Sequence, residues 1–258
     1  MEHTKKKFSI YNQNVVGYVF IMPWLVGFLC FTLVPFLMSF VLSFTNFNIL
    51  SPDTKFVGLD NYVKLFTQDK LFIKSLKVTF KFAFISVPLR LIFALLVAMI
   101  LNRKSRAVPV YRVVYYLPSI IGGSVAVSVM WRNLFTKAGV INSLLQAVGI
   151  DCRLNWLSNT KTALFTLILL YVWQFGSSML IFLSGLKQIP VSYYEAAEVD
   201  GAGKVRQFFS ITLPLLSPII LFNLVMQIIN GFMVFTQAQI ITDGGPVNET
   251  LVYILYLY

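Results

Sequence analysis

Three stretches of the chain carry no Asp, Glu, Lys or Arg: from Lys7 to Asp53, from Lys161 to Lys187 and from Arg206 to Asp243. Each exceeds the roughly 20 residues a helix needs to cross about 30 Å of hydrocarbon. With two further apolar runs, the pattern predicts spans over residues 15–44, 82–101, 113–131, 162–186 and 215–241, and a sixth beginning near Leu251. Helices are the expected element, because backbone groups in lipid must be satisfied within the segment and these runs are far longer than barrel strands. The sixth run reaches only Tyr258. That is about eight residues and ~12 Å of rise. It reads as a truncated last span, with the expectation that this piece alone neither transports nor assembles stably.

Composition agrees: 57% of residues are hydrophobic, 16% aromatic and 12% charged, against about 25% charged in soluble domains. The first run contains Pro23 and Pro35 and follows Lys5, Lys6 and Lys7. It is too long for a cleaved signal peptide and reads as a retained span. The net charge of +11 comes from residues in short loops beside apolar runs, so membrane lipid headgroups, and no nucleic acid, are the expected partners. Cys30 lies in a span, Cys152 in a loop, and His3 is the one histidine; neither a disulfide framework nor a metal site is expected. Lys and Arg divide equally between the two sides of the membrane in either orientation. The density of "NRKSRAVPVYR" favours a cytoplasmic N-terminus, with residues 1–14 as a tail and 15–258 as the membrane domain.

Between the fourth and fifth spans lies a polar segment, "SYYEAAEVDGAGKVRQFFSITLPLLSP". Glu195, Ala196, Ala197 and Glu198 are good helix formers, Gly201 and Gly203 interrupt the helix, and Pro214 and Pro218 mark the start of the next span. By charge alone this is a solvated loop. The spacing narrows it: Glu195-Ala196-Ala197, three residues, Gly201, nine residues, Ile211, one residue, Leu213-Pro214. This arrangement resembles the cytoplasmic EAA loop of ABC importer permeases, in particular those of the maltose and glycerol-phosphate type. "FVGLDNYVKLF", "YRVVYYLPSIIGGSVAVSVMW" and "ITDGGPVNETLVYILY" resemble, in order, that family's first outer loop, third span and the loop before its last span.

The resemblance implies an all-α polytopic helical bundle of the type I importer permease kind, with about six transmembrane helices. It implies a bacterial cytoplasmic-membrane subunit that imports a sugar or oligosaccharide and is not itself an enzyme. The implied partners are a second homologous permease, two ATP-binding subunits and an extracytoplasmic solute-binding protein. It also implies that residues 187–212 form a cytoplasmic coupling loop, with Glu195, Ala196, Ala197, Asp200, Gly201 and Ala202 meeting the ATP-binding subunit. This chain is expected to bind no cofactor: "GAGKVR" has Val205 where a phosphate loop needs a hydroxyl, so ATP and Mg belong to the partner.

Arg90 is the one charge between Phe82 and Leu101. It snorkels from within two or three turns of the outer surface, pairs with a neighbouring subunit, or draws an anionic substrate, such as a uronate-containing oligosaccharide, into the pathway. Lys74, Lys77 and Lys81 form a stripe on a helix entering the second span. Asn223, Gln227 and Asn230 share a helix face, Gln237 follows, and Gln174 lies beside Trp173. Amides in spans are interhelical glue or pathway lining, and aromatics with amides suit sugars, so Arg90, Trp173, Gln174, Gln227, Asn230 and Gln237 are the candidate pathway. The sequon at Asn248 reads as chance. The alternatives are a self-contained secondary transporter or channel, which would need acidic residues in its spans, and an intramembrane enzyme, which would need a catalytic constellation there. Neither requirement is met.

Overall fold

The computed structural model describes residues 13–48, 50, 54–103, 106–150 and 154–258. The basic tail with His3, Lys5, Lys6 and Lys7, together with Asp53, Lys104, Cys152 and Arg153, lies outside the described residues. The chain divides into two compact units after Asp69.

In the first unit, α1 (Gln13–Phe28) runs through a π turn, Leu29–Leu33, into α2 (Val34–Leu42). The segment Val16–Leu42 is one apolar span of 27 residues. Pro35 explains the π turn: it has no N–H to donate and its ring crowds the carbonyl four residues back, and one wider turn absorbs the mismatch without ending the helix. Phe20 and Phe31 are 80% and 84% exposed, a surface for lipid or for other spans and not for water. After the span, α3 (Asp60–Thr67) is tied back by Ser43 Oγ to Tyr62 OH at 2.6 Å and by Asn61 Nδ2, which donates to the Ser43 and Thr45 carbonyls.

The second unit holds α4 (Lys70–Leu101), α5 (Val108–Ile121), α6 (Val125–Leu134), α7 (Val140–Ala147), α8 (Ala163–Trp173), α9 (Gly176–Leu186), α10 (Val191–Val199), α11 (Lys204–Gln207), α12 (Leu213–Phe232), α13 (Thr236–Ile241) and α14 (Tyr253–Leu257). α4 is the central post, packed against α8, α9, α12 and α14. Its buried Phe82, Val87, Ala94 and Ala98 meet Leu167, Leu170, Met179 and Phe182 from α8 and α9. Small residues let backbones approach. A Cβ on Gly176 would strike Tyr115 O and Tyr116 Cα of α5, and one on Gly185 would strike Ile219 of α12.

Three expected spans differ from this architecture. The second begins at Lys70, not near residue 82, because the four lysines up to Lys81 lie on a helical extension of the apolar part; Lys74 Nζ pairs with Glu249 at 3.1 Å. The third is not one rod: α5 and α6 meet at 99°. Gly122 and Gly123 break the helix, and Ser124 Oγ caps the new one by accepting from Val127 N. The fifth begins at Lys204 and ends at Phe232, short of residue 241. Pro214 does not start it. A second π turn, Phe208–Thr212, again lies just ahead of a proline and carries the helix through. α8 and α9 form the fourth span, bent by 42°.

Candidate functional site

Three of these helix breaks converge. The Gly122–Ser124 break, the bend at Gln174–Phe175 and the break between α12 and α13 surround a cavity of about 350 Å³. Irregular backbone is tolerated at membrane depth where it lines such a cavity, since its freed polar groups then find partners. Arg90 enters from α4, Gln174 and Ser177 from the α8–α9 bend, Asn230 from α12, and Phe235, Thr236 and Gln237 from the start of α13.

Arg90 is only 7% exposed. Its Nη2 donates to the Gln174 carbonyl at 2.5 Å, and its guanidinium carbon lies 4.5 Å from the centre of the Tyr171 ring. Its Nε is buried and has no hydrogen-bond partner among the described residues, and no carboxylate lines the cavity. The snorkelling reading therefore fails. The side chain turns inward to these partners although Arg90 lies only eight residues, about 12 Å, beyond Phe82, where the apolar part of its helix begins, and eleven residues, about 16 Å, from the Leu101 end. That is half a hydrocarbon core from the Leu101 end. Burying an unpaired guanidinium costs several kcal/mol, which the Tyr171 face and one carbonyl offset only in part.

The polar groups around it are held in place. Gln237 Nε2 donates to the Gly122 carbonyl at 3.0 Å, joining two of the breaks, and Gln174 Nε2 donates to the Leu170 carbonyl. Two expected pathway residues do not line the cavity. Gln227 is buried behind it, accepting from Tyr171 OH through Oε1 at 3.2 Å and through its carbonyl at 2.8 Å. Trp173 points elsewhere, its ring 5.8 Å from that of Trp131. Tyr171, Ser119, Ser177 and Thr236 line the cavity without having been singled out in the sequence. The result is a guanidinium with free donor capacity, hydroxyls, amides and aromatic faces, a set matched to a saccharide bearing a carboxylate.

The polar segment forms a second feature. α10 has no buried residue, and Val199 is 88% exposed. It ends in a Schellman motif: Ala202 N donates to Ala197 O, Gly201 N donates to Glu198 O, and Gly201 takes the left-handed conformation, φ 74°. Gln207 Nε2 donates to the Ala202 carbonyl, and Glu198 pairs with Lys204 across the turn. That hydrogen bond and charge hold the Glu198 carboxyl below its usual range. Tyr194 OH meets Thr212 Oγ1 at 2.9 Å, tying α10 to the π turn of the next span. Glu195, Ala196 and Asp200 are exposed and Ala197 and Ala202 half-buried, so all lie at the surface of one rigid hairpin.

A family model described as "Binding-protein-dependent transport system inner membrane component" matches residues 79–258. The chain is 57% identical over 256 residues to "Probable ABC transporter permease protein YesP" of Bacillus subtilis, covering 98% of this chain and 82% of that one. It is 32% identical over 253 residues to "Arabinooligosaccharides transport system permease protein AraP" of the same organism, covering 96% and 79%. Its fold matches a chain of a bacterial alginate ABC transporter crystal structure with a TM-score of 0.75 at 24% identity, over 92% of this chain and 78% of that one.

Proposed function

Because the chain belongs to the binding-protein-dependent transport system inner membrane components, the permease subunits of ABC importers, we propose that its cavity at Arg90 passes an oligosaccharide, and an acidic one by preference. The observation that carries this reading is the buried guanidinium with a free Nε and no carboxylate among the residues lining the cavity. Relatives named for arabinooligosaccharides, trehalose/maltose and lactose support the saccharide class. Arg90, Gln174, Asn230 and Gln237 contact the substrate in this reading, while Gln227 acts through Tyr171 and Trp173 packs.

The working assembly is this chain with a second permease, two ATP-binding subunits and an extracytoplasmic solute-binding protein. The N-terminus and residues 187–212 face the cytoplasm. There α10 presents Glu195, Ala196, Ala197, Asp200, Gly201 and Ala202 to the ATP-binding subunit, where ATP and Mg are held. A helix with no buried residue and a hydrogen-bonded turn suit such docking.

Uptake by Arg90→Gln, compared at equal membrane abundance, tests the preference. A charged hydrogen bond contributes about 1.5–3 kcal/mol. Uptake of a uronate oligosaccharide should therefore fall about tenfold or more beyond that of a neutral one of equal length. Equal losses for both would make Arg90 a structural residue and end the acidic reading.

A further inference from the structure

A second cavity, of about 490 Å³, opens where α4 and α9 end and where α5 and α10 begin. Three cations line it, Arg103, Arg112 and Lys187, and no carboxylate does among the described residues. Arg103 and Lys187 follow the C-termini of α4 and α9, where unpaired carbonyls favour positive charge, so their presence is accounted for within the chain. Arg112 is not accounted for in that way. It lies in the second turn of α5, away from any helix C-terminus that would favour a cation, and its Nε is buried with no hydrogen-bond partner among the described residues. An anion in the cavity would meet all three side chains and the N-terminal ends of α5 and α10.

The rest of the lining chooses among anions. Val108, Pro109, Leu186, Ile189 and Val191 make half the wall apolar. The cavity also lies at the ends of the spans, the level at which headgroup phosphates sit. A free phosphate gains nothing from apolar walls, whereas the glycerol and upper acyl carbons of a lipid do. We infer that this cavity binds the phosphate diester of an anionic phospholipid of the cytoplasmic leaflet, with Arg112 as its principal ligand. Tyr194 of α10 lines the same cavity, so a bound lipid braces the coupling helix from behind and makes coupling responsive to membrane composition. The leaflet assignment rests on the cytoplasmic placement of α10 proposed above.

The test uses the assembled transporter with its partner permease and ATP-binding subunits. Native mass spectrometry would count retained phosphatidylglycerol against phosphatidylcholine, with inorganic phosphate as a separate arm. Wild type should retain phosphatidylglycerol preferentially, and Arg103→Gln with Arg112→Gln should weaken retention about thirtyfold. Arg112→Lys, which keeps the charge, should retain most of it and guards against a folding effect. Equal retention of the two lipids, or no change in the double glutamine variant, would overturn the proposal. Displacement of phosphatidylglycerol by millimolar inorganic phosphate would overturn the lipid source and leave a soluble anion site. Crosslinking from Ala197→Cys to the ATP-binding subunit, run on the same preparations, reports the coupling role separately from lipid retention.

Discussion

At the scale of single residues, Gly201 shows how a sequence signature becomes geometry. A Cβ there would meet nothing within 4 Å, so space is not what demands glycine. The demand comes from φ 74°, which costs a residue with a Cβ roughly 1–2 kcal/mol. Asn tolerates that region better than Ala, and β-branched residues worst. Transport at equal abundance should therefore rank Gly201 wild type, then Gly201→Asn, then Gly201→Ala, then Gly201→Val. A ranking by side-chain volume, with Ala above Asn, would show that the partner surface and not the turn makes the demand. The sequence exposed Gly201 through its spacing, and Arg90 through its isolation in an apolar run. It could not expose Tyr171. What makes Tyr171 important is the guanidinium over its ring, brought there from another helix by packing, and an aromatic in a greasy span carries no signal of such a contact.

Elements were legible where hydropathy alone decides them and misplaced where local chemistry competes with it. The existence of each apolar run follows from its lack of charge. The extension of α4 was legible in the helical stripe of Lys74, Lys77 and Lys81, though not as far as Lys70 and not as part of the apolar run, because lysines on one stripe lower hydropathy without interrupting a helix. The 99° break was written in Pro118, Gly122, Gly123 and the Ser124 cap, but an averaged apolar window passes over four residues. The two glycines of that break are not equivalent. A Cβ at Gly122 would strike the Gln174 side chain and the Pro118 carbonyl, whereas one at Gly123 meets nothing. Gly122→Ala should cost about 1–3 kcal/mol by overpacking and reduce uptake, since the cavity wall shifts. Gly123→Ala should stay within about 0.5 kcal/mol of wild type. Thermal stability in detergent and uptake at equal abundance measure both. Equal damage from the two would mean that backbone freedom, not close approach, shapes the break.

Across the second unit, the cavity and the α10 hairpin are joined by two continuous helices, the route that the proposed coupling would take. α9 starts beside Gln174 at the cavity and ends at Leu186, just before α10. The helix from Lys204 starts just after the hairpin and reaches Asn230 at the cavity. A push on α10 therefore reaches two walls of the cavity through rods, and the Tyr194–Thr212 hydrogen bond makes the hairpin move with the second rod. A net hydrogen bond contributes about 1 kcal/mol. In proteoliposomes holding the assembled transporter, Tyr194→Phe and Thr212→Val should each lower substrate moved per ATP hydrolysed by up to about fivefold, with hydrolysis itself little changed. Two residues that act through one bond are non-additive. The double variant should thus transport no worse than either single one. Additive losses, or uptake and hydrolysis falling together, would mean that the contact merely stabilises the fold and that force reaches the cavity by α9 alone.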